Sequence, residues 1–100
     1  YNRSSVGLNS FQTSGNSPGS RDRRCHVGLL GFGTLGAVVA RRLTGAAPVA
    51  SLALTHIFDR RARDKQARES APLSELTWLD RVDDLLASDT DVIVEALPAG

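Results

Sequence analysis

A single cysteine, Cys25, and a single lysine, Lys65, stand in a sequence of 100 residues that has no methionine at all. One cysteine rules out an internal disulfide and any pair of thiolate metal ligands, so Cys25 is expected to be a packing residue in a reducing compartment. No apolar run comes near the roughly 18 residues that a membrane-crossing helix requires. No charged-then-apolar leader opens the chain. We therefore expect a cytoplasmic chain without a membrane partner. Net charge is slight, at +1, which gives no general argument for nucleic acid. The charge is uneven, however: residues 1–24 hold four arginines against one aspartate, and the remainder holds 8 basic and 10 acidic groups. Methionine is missing even at the start, Tyr1, and the chain stops just after a strand-like run. A piece of a longer protein is the expectation.

Residues 1–24 are rich in Ser, Asn and Gly, with Val6, Leu8 and Phe11 isolated among them. That is too little apolar surface to offset the entropy of ordering, so a disordered arm is expected. Order should begin at Cys25. The run CHVGLL, 25–30, is short, mostly apolar and bounded by Gly31, which fits a buried strand. From Thr34 the period changes. Leu35, Val38, Val39 and Leu43 recur at helical spacing, Arg41 and Arg42 close the last turn, and Gly45 stops it. A second strand is read in VASLALTHIF, 49–58, ending at Asp59. The charged stretch 59–72 reads as a solvent-facing loop with at most a helical turn. A short strand near 76–78, a helix carrying Val82, Leu85 and Leu86 with Asp80 and Asp83 as its capping pair, and a strand over 92–97 complete the pattern. Strands alternating with helices mean a parallel sheet. The fold class expected is α/β, the N-terminal half of a Rossmann-type doubly wound parallel sheet over residues 25–100.

Between the first strand and the first helix stands VGLLGFGTLG, 27–36, with glycines at the spacing G-x-G-x-x-G. Each glycine has its own task in a dinucleotide site. Gly31 turns the chain off the strand, Gly33 leaves room for a pyrophosphate, and Gly36 lets the helix pack closely on the strands. The amides of Thr34, Leu35 and Gly36 would then point at the phosphates from the positive end of the helix. Asp59 ends the second strand, where a carboxylate meets the adenosine ribose and favours NAD over NADP. Arg60 and Arg61 next to it suit a 2′-phosphate and keep NADP open. Glu95 is unusual in an apolar strand. Assigned to the crevice, it would leave Ala96, Leu97 and Pro98 as a wall beside the nicotinamide half. His26, His56 and Trp78 are expected to pack or to cover a sheet edge.

These segments together, VGLLGFGTLG, then THIFDRRARDK, then TWLDRVDDLLASDTDVIVEAL, resemble the start of the NAD(P)-binding domain of homoserine dehydrogenases over about residues 25–98. The resemblance implies hydride transfer between L-homoserine and L-aspartate 4-semialdehyde, a step toward threonine and methionine, in a homo-oligomer that uses NAD or NADP. By position it assigns the pyrophosphate to Gly31, Gly33, Thr34, Leu35 and Gly36. It gives the ribose end to Asp59 or Arg60 and the nicotinamide side to Glu95, Ala96 and Leu97. The family's catalytic lysine and substrate carboxylates lie downstream of the matched residues, and Lys65 does not match that lysine. No catalytic residue and no metal ligand is therefore expected in 1–100, and the chain alone is expected to be inactive, with one strand edge uncovered. Where the family often continues the last strand into paired glycines, this chain has Leu97-Pro98-Ala99. Aspartate dehydrogenases and other oxidoreductases of this fold, or a non-enzymatic nucleotide-binding module, are the alternatives.

Overall fold

The computed structural model describes residues 4–7, 24–45 and 51–97. Within them, Cys25–Leu30 forms strand β2, Thr34–Thr44 helix α1, Leu52–Phe58 strand β3, and Ala62–Ala67 helix α2. A 3-10 turn at Leu73–Glu75 leads to strand β4 (Thr77–Leu79), helix α3 (Val82–Leu86) and strand β5 (Val92–Glu95). Strand β1, Ser4–Gly7, precedes them all. The sheet runs β1-β5-β2-β3-β4, and every neighbouring pair is parallel. This is the α/β, Rossmann-type half-sheet expected from the alternation of patterns. Among the described residues no helix is long and apolar enough to cross a membrane.

The central strands are covered on both faces. Val27 and Leu29 of β2, Leu54 and Ile57 of β3, and Val92 and Val94 of β5 face α1 and the 3-10 turn, meeting Ala40 and Leu73 there. Phe58 and Ile93 face the other way, onto Leu85 of α3. Continuous apolar runs such as Val92-Ile93-Val94 are what a doubly covered parallel strand needs. In β3 strict alternation would put Phe58 on the same face as Leu54. The pairing with β2 jumps from Val27↔Leu54 to Gly28↔His56, so Thr55 is an extra residue in the ladder. That bulge reverses the phase, sends Ile57 to the α1 face and Phe58 to the α3 face, and fixes how Asp59 leaves the strand. At the other end, Asp91 is buried. Its N–H donates to His26 O (2.7 Å) and its Oδ2 accepts from His26 N–H (2.8 Å), pinning β5 to β2 before the ladder begins.

Several expectations change. Ser4–Gly7, within the arm expected to be disordered, pairs with β5, Ser4 opposite Val92 and Gly7 opposite Glu95, so the open edge of the sheet stands at β1 and not at β5. The reason is general: an open parallel edge offers unpaired amides and carbonyls that an extended segment can satisfy. Residues 1–3 and 8–23 lie outside the described residues. Helix α1 buries Gly36 and Ala40 and half-buries Val39 and Leu43, while Leu35 and Val38 are 55% and 60% exposed. Close packing on the sheet goes to the small residues, which lets the helix axis approach. The loop expected over 59–72 contains helix α2, held by buried Ala62. Helix α3 is capped at Arg81 without a side-chain capping bond, so Asp80 and Asp83 do not form the anticipated pair. β5 ends at Glu95 and not at Leu97.

Leu85 and Leu86 show how the two faces are decided. Leu85 is fully buried between Phe58 and Ile93, whereas its neighbour is 52% exposed. Leu85→Ala should cost about 2–5 kcal/mol in urea denaturation. Leu86→Ala should stay within about 0.5 kcal/mol of the parent.

Candidate functional site

The carboxyl ends of β2, β3 and β5 open on one cleft of about 620 Å³, lined in part by Gly31, Phe32, Gly33, Asp59, Ala96 and Leu97. β2 lies between β3, reached through α1 on one face, and β5, reached through α3 on the other. That is the switch point where a doubly wound sheet parts its loops and leaves a crevice.

The glycine turn is built by three different constraints. Gly31 N–H donates to Phe58 O (2.9 Å), and Gly31 has a φ of +109°, a region L side chains rarely adopt. Gly36 lies so close to the turn that a Cβ there would collide with Gly31 O, backbone that cannot yield. Around Gly33 the situation is the opposite. A Cβ on Gly33 would meet nothing within 4 Å, so it faces the open cleft. The first helical bond of α1 runs from Ala37 N–H to Gly33 O (2.9 Å), so the amides of Thr34, Leu35 and Gly36 precede it. No side chain caps the helix and no acidic residue stands in its first turn. An uncapped, uncompensated helix tip beside open space suits an anion.

Phe32, between the first two glycines, holds the turn in place. Its ring is buried and meets Trp78 edge-on, with centroids 4.9 Å apart, and Trp78 Nε1 donates to Leu73 O (2.9 Å). Trp78 thus anchors the turn as well as covering the sheet edge. Phe32 N–H donates to Asp59 Oδ2 (3.0 Å), tying the turn to the end of β3. Asp59 Oδ1 accepts from Arg61 N–H (2.8 Å), and Lys65 Nζ donates both to Asp59 Oδ2 (2.9 Å) and to Phe32 O (3.1 Å). Burial by itself would raise the Asp59 carboxyl. The Lys65 hydrogen bond, the Arg61 and Phe32 amides and the Lys65 charge outweigh it and hold the group below its ordinary value.

Of the residues picked from the sequence, Gly31, Gly33, Asp59, Arg60, Ala96 and Leu97 line one cleft, and Gly36 packs directly under its turn. Thr34 and Leu35 are exposed at the helix tip. Glu95 is exposed and is not among the lining residues, which corrects its assignment to the crevice. It follows Ile93 by two, so strand alternation turns it to the α3 face, and the nicotinamide-side wall is left to Ala96 and Leu97. His26 and His56 are half-buried on their strands and also lie away from the cleft. Lys65, Phe58 and Val82 line it without having been foreseen. Lys65 was hidden because a six-residue separation from Asp59 has no periodic meaning until α2 folds the chain back. No protein-family model, curated protein or solved structure matches the chain.

Because the folded Asp59 carboxyl is held below its unfolded value, its stabilisation is present above the ordinary aspartate pKa of about 3.9. It is lost as pH falls through the lower folded value. The stability difference between the parent and Asp59→Asn, measured by urea denaturation, should be large at about pH 7 and should shrink steadily as pH falls below the ordinary aspartate pKa of about 3.9.

Proposed function

We propose that this chain binds a nicotinamide dinucleotide, NAD or NADP, across the carboxyl ends of β2, β3 and β5, as part of an oxidoreductase of the homoserine dehydrogenase type. The observation that carries the binding reading is the contrast between Gly36, where a Cβ would collide with the turn itself, and Gly33, where it would meet only open space. A turn that merely joined a strand to a helix would need the first of these and not the second. The residues present fit the group. The amides of Thr34, Leu35 and Gly36 would receive the pyrophosphate, since they precede the first helical hydrogen bond. Asp59 and Arg60 stand at the end of β3, where the adenosine ribose belongs in this fold. Ala96 and Leu97 offer an apolar wall that would keep water from the nicotinamide half.

The bound nicotinamide supplies a hydride donor or acceptor at C4, which the protein orients. The homoserine and aspartate-semialdehyde assignment rests on the likeness of the glycine turn, the strand end HIFDR and the run DVIVEAL to that family. The continuation into Leu97-Pro98 instead of paired glycines favours aspartate dehydrogenase as the second reading.

Gly33→Ala separates binding from folding. The φ of −84° at Gly33 is open to alanine, and the added methyl meets no protein atom. Its thermal unfolding should match that of the parent, while its affinity for NADH or NADPH, followed by nicotinamide fluorescence, should fall about tenfold or more. Gly36→Ala should instead disrupt the fold. A parent chain that takes up neither dinucleotide would refute the reading.

A further inference from the structure

The end of β3 carries more positive charge than its carboxylate cancels. Asp59, Arg60, Arg61 and Lys65 all line the cleft. Lys65 is paired with Asp59 at 2.9 Å, and among the described residues neither Arg60 nor Arg61 is ion-paired. One anion therefore faces three cations. Asp59 is also largely occupied within the protein. Its Oδ2 accepts from Phe32 N–H and Lys65 Nζ, its Oδ1 from Arg61 N–H, and its side chain is 12% exposed against 29% for Lys65.

From this arrangement we infer that the ribose end of the cleft is built for a 2′-phosphate, and that Lys65 is the residue that sets this specificity. The inference rests on the dinucleotide reading above and narrows it to the phosphorylated cofactor, NADP(H), against the expectation that Asp59 selects NAD. A bare carboxylate at this place accepts hydrogen bonds from a ribose 2′-hydroxyl and repels a phosphate. Lys65 weakens both effects, because it balances the charge and takes up one of the Oδ2 lone pairs. An ammonium has three N–H donors, and those of Lys65 that point inward go to Phe32 O and Asp59 Oδ2. The third meets no acceptor among the described residues and is left for a ligand in the cleft. A 2′-phosphate brings about two negative charges, which match the two guanidinium groups that no carboxylate balances. Their planar forks suit phosphate oxygens. Lys65 thus acts twice, by balancing the charge of the ionised Asp59 and by presenting its own donor.

Fluorescence titration of the intact chain with NADPH and with NADH tests this. NADPH should bind about tenfold or more tightly, and the ratio should shrink as salt is raised. Lys65→Ala should bring the ratio toward one or reverse it, whereas Lys65→Arg, which keeps the charge, should retain the preference. Far-UV circular dichroism of the variants shows whether they are folded, and the parent's own ratio needs no variant. NADH binding as tightly as NADPH would overturn the inference and leave the dinucleotide reading standing. A ratio unchanged in folded Lys65→Ala would overturn the role of Lys65. Failure of the parent to bind either nucleotide would overturn the underlying reading and this one with it.

Discussion

One carboxylate joins the parts of this molecule that matter for its site. Asp59 accepts the Phe32 amide from the glycine turn, the Arg61 amide from the entry to α2, and the Lys65 ammonium from within α2. Taken singly, each bond is an ordinary charge-assisted contact. Together they hold the end of β3, the turn after β2 and the following helix in one arrangement, and they do so at the mouth of the cleft. A half-exposed loop of this kind would otherwise have little to order it.

The carboxylate arrives there because of an irregularity further back. The extra residue at Thr55 reverses the facing of β3, so that Ile57 and Phe58 are divided between two cores and Asp59 leaves the sheet beside the turn. β2 sits between two strands reached over opposite faces, and that position opens the cleft. Gly31 and Gly36 then bring the helix tip against the strand end with almost no clearance, while Gly33 keeps the space in front of that tip empty. Tightness behind and openness in front are separate requirements, and a single short motif meets both.

The same economy is seen at the sheet edges. Trp78 on the edge strand β4 does not simply shield apolar surface. It braces Phe32, and through Phe32 the turn. On the opposite side, β1 pairs along β5 and supplies the backbone partners that a half-sheet would otherwise leave open. Both edges are thus engaged by residues far from them in sequence. The charge balance at the cleft follows a similar pattern, since Lys65 comes from a short helix whose apolar residues are two alanines and reaches back to a strand end.

The elements with strong periodicity were legible in the sequence. CHVGLL, the glycine spacing, THIFD and DVIV each carry a local pattern that only one kind of structure satisfies, and together they determine the parallel α/β order and place Gly31, Gly33, Asp59, Ala96 and Leu97 at strand ends. What local pattern cannot carry is decided by tertiary structure. Leu35 and Val38 share a helical stripe with Val39 and Leu43, yet only packing against the sheet shows that small residues take the inner line. Glu95 is turned from the crevice by the facing of a strand, and α2 becomes a helix because Ala62 finds a buried place. Lys65 acquires its meaning last of all. Its partners, at Phe32 and Asp59, are brought within 3.1 Å only when two segments that share no periodicity meet at the end of the sheet.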